Sequence, residues 1–193
     1  MDVLKLLNIK APVLQIKALS NGSLSIVDAQ TTVRIISMED YKVIGGFKSN
    51  IHHERMTGMI VDVSFEGDYS VSIVPKSNKA ALFSTVRKEL LYKVGRHQGE
   101  IESVGIDPNS RYCVTCGQDG KVFVWVIKTA RLAFSMPPHA DFVTSIAFND
   151  SGQWIATGSF DRTINLLNLA TMKRPMKLMG HGSVIVCMIF LPD

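Results

Sequence analysis

The residues of this chain best suited to chemistry are His97, His139 and His181, Asp119 and Asp161, and the closely spaced Cys113 and Cys116. Imidazoles with carboxylates could hold a metal or move protons, and two thiols three apart could bind zinc or cycle as a redox pair. Spacing argues against each. Cys113 and Cys116 sit in a β-type run, where side chains alternate with period two, so an offset of three puts the thiols on opposite faces. Cys187 and the histidines supply no second ligand pair at zinc spacing, which leaves buried or half-buried strand cysteines. An odd number of cysteines, three, also argues against a disulfide framework and for a reducing compartment.

The three histidines fall at equal intervals along the chain, and Asp119 and Asp161 keep the same step. So do Thr115 and Thr157, Val104 and Ile146, and the series Ile106, Phe148, Phe190. A fixed period of about 40–45 residues means one supersecondary unit stacked several times. Each unit then contributes one histidine at an equivalent height, so the imidazoles stand apart rather than converge on an ion. The aspartates read as turn residues that bond locally, not as a general acid and base. No nucleophile elbow, phosphate-cradling glycine loop or zincin helix is present, and no catalytic, cofactor or metal residue is expected.

Within a unit the elements are short. Residues 101–106, 111–116 and 122–126 are β-branched and aromatic runs separated by Asp107-Pro108-Asn109-Ser110 and Gln118-Asp119-Gly120-Lys121. The next unit repeats them at 143–148, 154–158 and 164–167, with fourth strands expected near 131–134 and 175–179. Four antiparallel strands per unit describe a propeller blade.

His97, Thr115, Asp119 and Trp125 resemble the histidine, hydroxyl, aspartate and tryptophan network of the WD40-repeat β-propeller family, and Gly180-His181 resembles its Gly-His pair. The next unit keeps His139, Thr157 and Asp161 but has Leu167 at the tryptophan position. Upstream the pattern fades: Phe83 takes the indole position of one unit, and the first unit carries no network residues. The resemblance implies an all-β fold of four-stranded antiparallel blades, incomplete or truncated, since propellers have about 4–8 blades. The expected domain is a single partial propeller over 1–193, with blades at 10–50, 57–95, 97–138 and 139–180 and the first strand of a fifth at 181–193. His181 is expected to share the structural network.

Residues 3–9 are apolar but broken by Lys5, which fits neither a signal nor a membrane span and predicts a strand. Residues 45–57 read as an elongated, polar connection and a candidate contact loop. Net charge is +4 with a pI near 9.0. The basic groups are Lys42, Lys48, His52, His53 and Arg55; Arg87, Lys88, Lys93 and Arg96; and Lys173, Arg174 and Lys177. They are dispersed and lack interleaved aromatics.

Residues before the turn aspartate and at the start of the innermost strand face the top rim: Glu100, Gln118, Asp141, Phe142, Phe160 and Val184. The resemblance implies a non-enzymatic, cytoplasmic scaffold that binds protein partners there, with no membrane and no cofactor. Bare faces of a partial propeller would also allow a homodimer. Two alternatives stay open: an accessory or assembly factor for a bacterial redox enzyme complex, and binding of nucleic acid or an acidic partner through the basic loops.

Overall fold

The computed structural model describes residues 12–28, 32–48, 61–74 and 77–191. It is all-β among these residues: sixteen strands form four antiparallel sheets of four, each a simple meander in chain order. The first sheet holds β1 (Val13–Ala18), β2 (Leu24–Asp28), β3 (Thr32–Ile36) and β4 (Val43–Lys48). The second holds β5 (Val61–Val63), β6 (Tyr69–Ile73), β7 (Ala80–Ser84) and β8 (Glu89–Val94). The third is β9 (Ile101–Ile106), β10 (Tyr112–Gly117), β11 (Val122–Val126) and β12 (Leu132–Ser135). The fourth is β13 (Val143–Phe148), β14 (Trp154–Ser159), β15 (Ile164–Asn168) and β16 (Met176–Leu178). No helix among the described residues is long and apolar enough to cross a membrane.

In the second, third and fourth sheets the first three strands are mostly buried and the outermost strand is not. β10 buries every residue after Tyr112, whereas all of β16 is exposed. Burial of this kind selects the continuous β-branched runs of the inner strands. One apolar cluster joins the first three sheets through Val27, Val33, Val71, Leu82, Val104 and Trp125. A second joins the third and fourth through Val114, Val122, Val124, Ile146, Ile155 and Leu167. Cys113 lies in the first cluster and Cys116 in the second, as opposite faces of one strand require.

Polar latches supplement the packing. Asp62, buried on β5, accepts Lys17 Nζ from the first sheet at 2.8 Å and the Ile106 amide from the third at 2.8 Å. Gly120, at φ 70°, permits the third sheet's inner turn to abut the start of the next repeat. A Cβ there would meet the His139 carbonyl at 2.5 Å, and the His139 amide donates to the Gly120 carbonyl at 2.9 Å.

Two details differ from the sequence reading, and two segments are not described. Gly45 to Lys48 belong to β4 rather than to a connection, because the glycines pair with Ile35 and Arg34. Residues 49–57 and 3–9 lie outside the described residues. The segment 184–191 forms no strand: its one backbone–backbone bond runs from the Ile185 amide to the Ser159 carbonyl at 3.1 Å, and the Ile185 carbonyl accepts from the Thr144 hydroxyl at 2.7 Å. An extended segment becomes a ladder strand only when a neighbour runs beside it, and among the described residues none does. The first sheet also has a polar lock of its own, with Asp28 accepting the Thr32 amide at 3.0 Å and Arg34 at 2.5 Å.

Candidate interaction rim and the clasps beneath it

In the third sheet four side chains from four places in the chain form one directed chain of hydrogen bonds. Trp125 Nε1 lies 3.1 Å from Thr115 Oγ1, Thr115 Oγ1 lies 2.9 Å from His97 Nε2, and His97 Nδ1 lies 2.9 Å from Asp119 Oδ1. Burial lowers the His97 pKa below its ordinary 6.5 and outweighs the upward pull of Asp119, so the ring is neutral. Burial acts upward on Asp119, but bonds from His97 and the Gln98 amide outweigh it and hold the carboxyl below 3.8. An ionised carboxylate only accepts, so Nδ1 carries the proton, Nε2 accepts from threonine, and the threonine oxygen accepts from the indole. Every donor has one acceptor.

The fourth sheet builds the same clasp with different parts. His139 Nε2 lies 3.1 Å from Thr157 Oγ1, and Nδ1 lies 3.1 Å from Asp161 Oδ2 and 3.2 Å from Thr163 Oγ1. Leu167, fully buried, fills the place of the indole, and Thr163 supplies an extra hydroxyl that donates to Asp161 Oδ1 at 2.6 Å. Burial lowers the His139 pKa as well, and Asp161 is held well below the usual carboxylate range despite its own burial, through bonds from Thr163 and the Ala140 amide. His181 stands outside any such clasp and is exposed. Its sister histidines find threonine 18 and aspartate 22 residues further on.

These clasps commit His97, Asp119, His139 and Asp161 to bonds within their own sheets. The paired thiols are withdrawn as well: desolvation pushes Cys113 up to about 12 and Cys116 well above its ordinary value, while Cys187 is exposed. Sequence reasoning missed Asp62, Asp28 and Thr163. Of these only Thr163 had a usable signal, as a hydroxyl two residues after the turn aspartate.

The same turns that carry the aspartates carry the rim. The Gln118 amide donates to the Glu100 carbonyl at 3.0 Å, and the Phe160 amide to the Phe142 carbonyl at 2.9 Å, so each pair closes the end of its inner hairpin. Glu100, Asp141, Phe142, Phe160 and Val184 are exposed and Gln118 is half-buried. Phe142 and Phe160 stack with ring centroids 5.9 Å apart and remain 38% and 36% exposed. Gln118 Nε2 instead donates to Glu102 Oε1 at 2.6 Å.

The profile of the WD domain, G-beta repeat, matches residues 88–126 and 131–168. The chain thus carries two WD40 repeats. Each WD40 match starts on or beside the outermost strand of one sheet and ends on the third strand of the next, so the repeat in sequence straddles two sheets in space. Over 101 residues the chain is 31% identical to guanine nucleotide-binding protein subunit beta-1 of Drosophila melanogaster, covering 50% of this chain and 30% of that protein. Over 95 residues it is 25% identical to the periodic tryptophan protein 2 homolog of Schizosaccharomyces pombe, covering 49% of this chain and 11% of that one. The matched region thus spans less than a third of either WD40 relative.

Proposed function

We propose that this WD40 chain is a non-enzymatic, cytoplasmic scaffold, part of one propeller with blades at 10–50, 57–95, 97–138 and 139–180, whose rim binds a protein partner. The two WD40 repeats support protein binding in general. The observation that carries the rim is the stacked, solvent-facing Phe142–Phe160 pair. Aromatic side chains held rigid at a surface are the usual energetic centre of an interface. The non-enzymatic reading is supported by the bonding of His97 to Asp119 and of His139 to Asp161 within their own sheets.

Photo-crosslinking tests this reading. A photoreactive residue replacing Phe160 should trap a protein partner in cells, whereas the same residue replacing Asn109, at the opposite end of the third sheet, should not. Equal trapping at both positions, or none at Phe160, overturns it.

A second reading rests on a separate surface. The outer face of the fourth sheet, with Ala156, Ile164, Leu166 and Leu178, lines an open groove of about 530 Å³ together with 184–190. In the third sheet the positions one repeat earlier, Val114, Val122, Val124 and Met136, are buried in the cluster shared with the fourth. A second copy of the chain could cover the bare face. Light scattering that gives a monomer mass at every concentration excludes this homodimer.

A further inference from the structure

Along the rim, register equivalents change chemistry from one sheet to the next. Glu100 and Gln118 in the third sheet stand where Phe142 and Phe160 stand in the fourth, each one full repeat on. The two patches are one surface. The His139 amide bonds the Gly120 carbonyl, and a Cβ on Gly120 would lie 3.3 Å from the Asp141 carbonyl, so the third sheet's turn touches the loop that carries the fourth sheet's aromatics. The Asp141 side chain accepts the Phe142 amide at 2.8 Å, which fixes a carboxylate at the edge of the phenyl pair. Among the described residues the Glu100 carboxylate takes part in no hydrogen bond or ion pair, and it is exposed. Val184, 38% exposed, continues the apolar row.

Cations share this end of the sheets but stand off the innermost strands. Lys121 and Arg162 lie in the turns between second and third strands, Arg96 on the incoming connection, and Lys177 on the outermost strand within 3.9 Å of Asp161. The row beside the innermost strands therefore presents an aromatic pair with two carboxylates, Glu100 and Asp141, on its third-sheet side. Such a row attracts a positively charged segment and repels an acidic one, and the rings need an apolar side chain to displace their water.

We infer that the rim takes a partner segment in which an apolar side chain is flanked by lysine or arginine. This rests on the rim reading above and adds the partner's chemistry to it. The opposite assignment, an acidic segment, would place like charges beside Glu100 and Asp141.

Fluorescence anisotropy of the full chain with labelled synthetic peptides tests it. Three sets share one length: a leucine or phenylalanine centre with lysine and arginine flanks, the same centre with glutamate flanks, and basic flanks around a serine centre. The first set should bind about tenfold more tightly than either other set, and should weaken severalfold between low and physiological salt. The exposed charge reversals Glu100→Lys and Asp141→Lys should remove that preference, with the neutral Glu100→Gln and Asp141→Asn intermediate and circular dichroism unchanged. Phe142→Ala should weaken the first set whatever the salt. If glutamate-flanked peptides bind as well and Phe142→Ala still weakens them, the charge inference fails and the rim reading stands. If no set binds, the inference fails and the crosslink from position 160 alone decides the rim reading.

Discussion

The third and fourth sheets solve one problem with different side chains. Both must hold a buried imidazole with each nitrogen matched, and both use a threonine on the second strand and an aspartate in the next turn. The third sheet extends the chain through Trp125, whereas the fourth puts Leu167 there and strengthens the aspartate end with Thr163. Position 163 lies one repeat after Lys121, whose amide is all that reaches Asp119 from that place, at 3.2 Å. The clasp tolerates loss of one end when the other gains a partner. What it keeps invariant is the histidine, hydroxyl and carboxylate core, which is also the part that can be read from spacing.

Exchanging the two endings should break this most severely. Trp125→Leu should cost about 2–4 kcal/mol by urea denaturation, from lost ring volume and an unfilled acceptor on Thr115. The reverse change, Leu167→Trp, completes the pattern on paper yet should destabilise by about 1–3 kcal/mol, because Leu167 is fully buried and its site has no room for an indole. A gain in stability there would show that the pattern, not the packing, governs.

The carboxylates should differ next. Asp161 accepts from His139, the Ala140 amide, and both the amide and hydroxyl of Thr163, whereas Asp119 accepts from His97 and the amides of Gln98 and Lys121. Each change to alanine should cost about 1–3 kcal/mol, with Asp161→Ala the larger loss. Equal losses would mean that Thr163 adds nothing.

Acid should act on both sheets in one direction, with the smallest effect. The folded imidazoles titrate below 6.5, so the unfolded chain binds more protons between the folded value and 6.5. Stability is then full above that value and falls as pH drops through it, and the aspartates add a further loss below 3.8. Urea midpoints at pH 7.5, 6 and 5 should decline in the native chain. A doubly substituted His97→Gln, His139→Gln chain should be less stable but nearly flat over that range, and a retained slope would place the titration elsewhere.

Much of the third and fourth sheets was legible because the clasp demands the same residue types at the same heights, which stamps a period on the chain. The first two sheets lack that demand. Phe83, half-buried on β7, replaces an indole, and an aspartate–arginine pair rather than histidine braces β2 and β3. Gly45 and Gly46 read as a connection because glycine seldom favours a strand, yet they pair along β3. Asp62 was invisible for a different reason. Gly105 and Ala147 occupy the matching places in the next two sheets, so no repeat marks the position. Its partners, Lys17 and Ile106, lie 45 and 44 residues away and are chosen only by the stacking. Among the rim residues, exposure at Phe142 and Phe160 could be decided only by their mutual stacking, which spacing does not encode.

Asp62 carries one more consequence. Because its two oxygens answer to the first and third sheets at once, peeling the first sheet away would leave an anion sealed under the next two without its counter-charge. Fraying at the amino-terminal end is thereby coupled to the middle of the molecule. Protons on the amides of β5 and β9 should consequently exchange with solvent as one cooperative unit, rather than sheet by sheet.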